Sequence, residues 1–265
     1  MKYLTPKNRA ILREMVATDF KIRYQGSVLG YMWSILKPLL LFAVLYILFT
    51  YVAPIGKGVE HYGVSLLLGI VFWNFFAETT MVGATSVVSH GDLIRKIKIP
   101  RYLVVVASSV SAFINLLLSL VVVFIFAGVN GVSPHASWLL LPIVIVEMFA
   151  LAMGMALILA TAYVKYRDVT YIWEVFLQAG FYASAIIVPM SIVPTNLYDW
   201  FFMNPVVQIV QDARHVLLQS ANDITIWNTV VNPFAKSIPF IITLVIVTVG
   251  VMYFRKRSRY FAEDI

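Results

Sequence analysis

The chain has 265 residues, of which 61% are hydrophobic and only 12% are charged, and its formal net charge is +7. Soluble domains carry about 25% charged residues, so this composition excludes a soluble enzyme, a disordered chain and a nucleic-acid-binding protein despite the basic excess. The absence of cysteine excludes disulfides, thiolate metal sites and a cysteine nucleophile. We therefore expect an all-α membrane protein.

The first 29 residues are basic and precede the first long apolar stretch. Within them, residues 6–25 carry apolar side chains at helical spacing, with Thr5 placed to cap the helix and Pro6 at its first position. This spacing predicts an amphipathic helix that lies in the cytoplasmic interface with its apolar face among acyl chains. Two roles stay open: a simple membrane anchor, and a docking surface for a cytoplasmic partner.

Residues 30–265 contain six stretches that are apolar enough to cross a bilayer, which takes about 20 residues each. An uncharged run over 102–146 is too long for one helix and is divided by a turn at 128–134. The six predicted spans cover about 30–53, 62–87, 101–127, 137–163, 171–194 and 238–254. We therefore expect a six-span transmembrane domain that follows the interface helix.

The distribution of basic residues predicts the orientation of these spans. Seventeen of the 20 Lys and Arg residues fall on one side of the arrangement. Basic loops favour the cytoplasmic side, so both termini are expected there. The net positive charge then follows from topology and from attraction to anionic membrane lipid, and no nucleic acid is expected as a partner.

Two segments outside the spans have distinctive compositions. The element 89–100 combines basic and apolar residues, with Asp92 placed to cap a short helix that Pro100 would end. It suits either docking into a partner's groove or a loop that rests on the membrane. The aromatic-rich outer segment 195–236 predicts short re-entrant helices between spans five and six, with a surface belt of Trp and Tyr as the alternative.

Three acidic residues, Glu78, Glu147 and Glu174, lie in or at the predicted spans. A charge at mid-bilayer costs about 2.5–3.5 kcal/mol, so such residues face a bundle interior or a watery cavity. They suit either a polar lining or neutral acids that hydrogen-bond between helices, and no intramembrane Lys or Arg is expected to pair with them. The sequence contains no P-loop, so the chain does not bind ATP phosphates by that motif.

A longer pattern covers residues 19–39, which read Asp-Phe-Lys-Ile-Arg-Tyr-Gln-Gly-Ser-Val-Leu-Gly-Tyr-Met-Trp-Ser-Ile-Leu-Lys-Pro-Leu. The order of a basic residue, Arg-Tyr, a small polar residue, Leu-Gly, Trp and Pro-Leu resembles the signature of type-2 ABC exporter permeases that move lipid-linked polysaccharides. The residues that carry it are Lys21, Arg23, Tyr24, Ser27, Leu29, Gly30, Trp33, Pro38 and Leu39. The resemblance extends along essentially the whole chain.

The resemblance implies the permease subunit of an ATP-driven exporter of O-antigen, capsule or teichoic acid precursors in the bacterial inner membrane. It implies a homodimer joined to two copies of a separate cytoplasmic nucleotide-binding subunit. That subunit would bind ATP and Mg²⁺, so this chain would need no cofactor and would not itself be an enzyme. The implied substrate is a glycan on an undecaprenyl pyrophosphate or phosphate carrier.

Candidate residues follow for three tasks. The resemblance places ATPase coupling in the interface helix and in the element at 89–101, for which the candidates are Arg13, Asp92, Arg95, Lys96, Lys98 and Arg101. The candidates for lipid pyrophosphate or interface contact are Lys21, Arg23, Tyr24 and Lys37. Aromatic faces stack on sugar rings, and the expected conduit lining comprises Trp33, Tyr46, Phe49, Tyr51, Glu78, Trp173, Phe176, Phe181 and Tyr182.

Three other functions remain open. A type-2 ABC permease for a drug or small lipid would share the architecture. A membrane transferase would be expected to show clustered cytoplasmic Asp residues or a metal-binding pair, whereas Asp92 and Asp168 stand alone in their loops. An ion-coupled carrier would show inverted repeats, and no matching halves are evident.

Overall fold

The computed structural model describes residues 5–24, 29–30, 32–96, 99–220, 223–230 and 232–261, without the side chains of residues 20, 22–24, 95 and 96. This part of the chain is helical, with elements joined by turns and short irregular segments. The helices are α1 (Pro6–Tyr24), α2 (Met32–Ile47), α3 (Tyr62–Ser89), α4 (Gly91–Lys96), α5 (Tyr102–Val129), α6 (Leu141–Lys165), α7 (Val169–Ala183), α8 (Tyr198–Phe202), α9 (Pro205–Leu218), α10 (Ile226–Thr229) and α11 (Pro233–Arg257).

Among the described residues, five helical segments are long and apolar enough to cross a membrane. Two of them extend beyond an α-helix, because a π-helical turn prolongs α2 to Val52 and a 3₁₀ turn from Ala136 precedes α6. The five segments are Met32–Val52, Tyr62–Ser89, Tyr102–Val129, Ala136–Lys165 and Pro233–Arg257. They confirm predicted spans one, two, three, four and six as helices.

The prediction of one continuous helix over 171–194 is wrong. Helix α7 has 15 residues, about 22 Å of helix, which falls short of the roughly 30 Å hydrocarbon core. It ends at Ala183, and Ala185 has a positive φ of 51°. A left-handed residue followed by Pro189 cannot continue a helix, so the chain runs irregularly toward α8.

Helix α3 is the centre of the fold. It packs against α5 on one side and against α6 on another, and α6 in turn packs against α11. Its residues Leu66, Leu68, Ile70 and Phe72 are completely buried. A helix that is apolar around its whole circumference is typical of such a central position.

Two glycines let α6 and α11 approach closely. A Cβ atom at Gly154 would lie 2.8 Å from the Cα atom of Val247, and one at Gly250 would collide with the Gly154 carbonyl. Small residues at helix crossings allow backbones to meet in membrane proteins, where apolar burial between helices gives little driving force. The α6–α11 crossing therefore depends on this glycine pair.

The outer segment forms three helices, α8, α9 and α10, of which α9 is held by a buried arginine. Arg214 donates hydrogen bonds to the carbonyls of Ser65, Ala185 and Ile186, at 3.2, 2.9 and 2.7 Å respectively. Trp138, at the start of the fourth span, also donates to the Leu217 carbonyl at 3.1 Å. Helix α9 is thereby fixed to the first turns of α3 and to the start of the fourth span; its re-entry into the leaflet stays a prediction.

We predict that Gly250→Val lowers the free energy of unfolding of the purified protein in detergent by about 1–3 kcal/mol, because the added side chain forces α6 and α11 apart. Gly128→Val is the matched control, since a Cβ atom at Gly128 meets nothing within 4 Å. Thermal unfolding followed by circular dichroism measures both. Equal stabilities for the two variants would contradict the close α6–α11 crossing.

Candidate functional site

Helix α1 packs on the start of α5 and on α4, and we call these three parts the basal platform. Met15 of α1 is only 6% exposed and clusters with Ile99, Val104 and Ala107. Partly buried side chains complete this cluster: Ile11, Leu12, Val16, Leu93 and Ile94. The amphipathic helix predicted from the sequence is confirmed, but part of its apolar face contacts protein where acyl chains were expected.

A histidine–aspartate pair ties the far half of α1 to the end of α3. The His90 Nε2 atom lies 3.5 Å from the Asp19 Oδ1 atom, and the His90 Nδ1 atom lies 3.0 Å from the Ser86 carbonyl. The hydrogen bond to Asp19 raises the pKa of His90 above its ordinary value of 6.5, although burial opposes this. Movement of α1 is therefore linked to α3 as well as to α5.

The residues predicted to couple to an ATPase divide into three groups. Arg13 and Asp92 are exposed on the platform. The sequence had suggested that Asp92 caps α4. It does not, because α4 begins one residue earlier at Gly91 and the Asp92 carboxylate lies in its first turn. Arg101 donates a hydrogen bond to the carbonyl of Ser258, which follows α11. The side chains of Arg95 and Lys96, and the whole of Lys98, lie outside the described residues.

A polar cavity of 460 Å³ lies between α2, α3 and α5. Glu78 and Lys37 both line it, and Asn115 of α5 donates to the Glu78 carboxylate at 2.9 Å. Lys37 and Glu78 thus share one cavity, while the contact that the structure gives Glu78 is the amide of Asn115. Sequence reasoning missed Asn115, although it is the only Asn within the uncharged run 102–129 and was visible there.

The other residues predicted for lipid phosphate contact lie near the end of α1. Lys21 is exposed there. The backbone of Arg23 and Tyr24 completes the helix, while their side chains lie outside the described residues. The structure therefore places Lys37 in a cavity and leaves the roles of the other three as predictions.

Helix α7 carries an exposed polar stripe, which consists of Tyr171, Glu174, Gln178 and Tyr182. Spacings of three and four residues put these side chains on one face of the helix. Tyr171 is 71% exposed and Tyr182 is 72% exposed. Gln178 was missed from the sequence, although the helical spacing from Glu174 to Tyr182 would have included it.

The remaining aromatic residues predicted to line a conduit have mixed environments. On α7, Phe176 is exposed, whereas Trp173 donates its Nε1 hydrogen to Thr80 Oγ1 at 2.9 Å and the Phe181 ring lies 6.0 Å from Trp73. In the first span, Trp33 and Tyr51 are exposed. Tyr46 stacks on Phe42 with ring centroids 5.4 Å apart, and Phe49 is half-buried. Some of the predicted lining residues are therefore exposed, and the others pack against neighbouring side chains.

The second half-buried acid, Glu147 of α6, faces α9. The amide nitrogen of Gln208 lies 3.5 Å from the Glu147 carboxylate and 2.7 Å from the Asp212 carboxylate. Glu78 and Glu147 thus both contact an amide on a neighbouring helix, which is the arrangement expected for interhelical hydrogen bonding. Glu174 differs, because it is exposed within the stripe on α7.

We predict that α1 is held more tightly at about pH 6 than at about pH 8. Because the folded-state pKa of His90 is raised, the stabilisation by the ion pair is fully present below 6.5 and is lost as pH rises through the raised pKa. Hydrogen exchange of α1 amides, corrected for intrinsic rates, measures this. His90→Gln and Asp19→Asn should each abolish the pH dependence, whereas His135→Gln, in the loop before the fourth span, should retain it; retention by His90→Gln would refute the linkage.

Comparison with known proteins identifies the family. The family model described as ABC-2 type transporter matches residues 12–218, from α1 to the end of α9. An O-antigen export system permease protein RfbA of Klebsiella pneumoniae is 26% identical over 247 residues, which cover 92% of this chain and 91% of that protein. The protein of the same name from Myxococcus xanthus is 27% identical over 183 residues, covering 69% of this chain and 70% of that protein. The chain belongs to the ABC-2 type transporter family.

Proposed function

We propose that the chain is the permease subunit of an ATP-driven exporter that moves a lipid-linked polysaccharide, of the O-antigen, capsule or teichoic acid type, across the bacterial inner membrane. The names of its relatives support an O-antigen-like substrate. The observation that carries the proposal is the exposed polar stripe on α7, because such a surface suits a hydrated sugar chain and is costly against acyl chains.

Contacts between helix ends support six crossings with both termini in the cytoplasm. Arg214 joins the start of α3 to Ile186, just after α7, while Trp138 joins the start of the fourth span to the same outer helix α9. Helix α7 begins only four residues after α6 ends. Residues 169–186 therefore lead from the end of the fourth span to the level of its start, which supports a fifth crossing despite the short helix.

A homodimer would shelter the stripe on α7. Helix α11 exposes aliphatic side chains such as Leu244 and Val245, which suit acyl chains, whereas α7 exposes Glu174 and Gln178. Polar side chains within a membrane face the bundle interior or a watery cavity. Two copies of α7, with the first span of each copy, would form a conduit lined by the stripe and by exposed aromatic residues such as Phe176 and Trp33.

Substrate entry is assigned to the cytoplasmic side of the first span. Lys37, which lines the polar cavity, and Lys21, Arg23 and Tyr24, at the end of α1, would attract the undecaprenyl-linked phosphate. Two cytoplasmic subunits that bind ATP and Mg²⁺ would dock beneath the basal platform, through Arg13, Asp92 and the basic residues of and after α4. Their closure would move α1, which contacts both α5 and His90 at the end of α3.

We predict that two copies of the α7 stripe lie close together across the dimer. The chain has no native cysteine, so single-cysteine variants report on one position each. Gln178→Cys in membranes should form a covalent dimer with a short bis-maleimide. The control Val245→Cys, which is also at an exposed position but on α11, should stay monomeric. Electrophoresis of the treated membranes measures the product. Cross-linking of Val245→Cys alone would contradict the proposed interface.

We predict that Arg13→Glu reduces export of surface polysaccharide roughly tenfold or more, because like charges at a docking interface cost several kcal/mol. The assay restores the permease to its own host after deletion of the gene and measures surface glycan. Lys165→Glu, an exposed position at the end of α6 outside the platform, should export normally. A deletion strain with normal surface glycan but lost drug efflux would instead favour the drug-permease alternative.

A further inference from the structure

A large groove has no lining residue from α7, the helix that carries the polar stripe. It has a volume of 860 Å³ and lies between the start of α5, the middle of α6 and the end of α11. Its polar lining residues lie at the helix ends and are Arg101, Arg255, Ser258 and Arg259. Its apolar lining residues along the helices include Val106, Met153, Leu157 and Val251.

The apolar lining runs inward from the helix ends at the mouth. Val251 lies six residues before Arg257, the last residue of α11, which corresponds to about 9 Å along the helix. Half of the hydrocarbon core is about 15 Å thick. The apolar lining therefore covers more than half the depth of one leaflet, enough to seat the upper part of an acyl chain.

The mouth of the groove is strongly basic. Three guanidinium groups line it, and among the described lining residues there is no carboxylate. Arg101 donates to the Ser258 carbonyl, which fixes its guanidinium between the start of α5 and the chain beyond α11. Planar guanidinium groups present several donors in the geometry that suits phosphate oxygens.

We propose that this groove binds one anionic glycerophospholipid, with its phosphodiester among the arginines at the mouth and an acyl chain along Val106, Leu157 and Met153. Charge complementarity selects an anionic headgroup over a zwitterionic one, whose ammonium would meet the same arginines. The bound lipid bridges the segment that follows α4 to the end of α11. The proposal depends on the proposed topology only in assigning the lipid to the cytoplasmic leaflet.

The site is separate from the proposed conduit. The conduit residues belong to the first span and α7, neither of which contributes to the groove lining. The lipid is therefore a structural ligand that locks the base of α5 to α11, and it is not the exported substrate. Loss of this site should weaken lipid-dependent stability without changing the cross-linking pattern of α7.

The test compares binding of dioleoyl phosphatidylglycerol and dioleoyl phosphatidylcholine to the delipidated full-length protein in detergent, measured by thermal shift and native mass spectrometry. Phosphatidylglycerol should raise the melting temperature, and phosphatidylcholine should not. The double variant R101Q/R259Q should weaken phosphatidylglycerol binding roughly tenfold or more. The matched control K256Q/R257Q also removes two positive charges, but from residues in the last turn of α11 that do not line the groove. It should change binding less than about twofold.

A second variant tests lipid binding without changing the arginines, whose replacement could also disturb folding. Val106→Trp fills the apolar part of the groove and keeps every charge, so it should also remove the phosphatidylglycerol shift. Equal shifts in the wild type, R101Q/R259Q and Val106→Trp would overturn the proposal. An equal rise in melting temperature with inorganic phosphate alone would also overturn it, because that would identify an anion site without a lipid. So would an equal loss of phosphatidylglycerol binding in K256Q/R257Q, which would indicate non-specific attraction.

Discussion

The hydrocarbon core of a membrane does not solvate polar groups, and this constraint organises the whole molecule. Most polar side chains within the helices have a partner inside the chain: Glu78 accepts from Asn115, Trp173 donates to Thr80, and Arg214 donates to three carbonyls. The stripe on α7 is the conspicuous exception within the described residues, because its polar side chains are exposed along about 16 Å of helix. The proposed homodimer accounts for this exception, because a second copy and a hydrated path would cover the stripe.

Packing at the base explains how an external force would reach that path. Helix α1 is connected to the rest of the molecule through Met15, which packs on Val104 at the start of α5, and through Asp19, which faces His90 at the end of α3. Because α3 is the central buried helix and Trp173 of α7 donates a hydrogen bond to its Thr80, a displacement of α1 would reach the stripe through α3 under the proposed function. The outer end is fixed by Arg214, so these helices would tilt about a point near α9.

The sequence predicted five of the six spanning helices, helix α1 and the family, because long apolar runs and the pattern at residues 19–39 are strong local signals. It failed at the fifth span, where apolar residues continue past Ala183 although the backbone turns left-handed at Ala185. It also failed for contacts between distant residues. Spacing alone did not indicate that Asn115 reaches Glu78, that Arg214 is buried against Ser65, or that Arg101 bonds beyond α11, because those pairings arise only when the helices pack.

The central claim is that two copies of this chain form a passive path for a lipid-linked glycan, with energy supplied by a separate ATPase. The most direct measurement reconstitutes the purified permease, with and without its ATPase, in vesicles loaded on one side with undecaprenyl-linked glycan and follows the glycan's accessibility to an added lectin. We expect ATP-dependent translocation only when both subunits are present. Translocation or ATP hydrolysis by the permease alone would contradict the account.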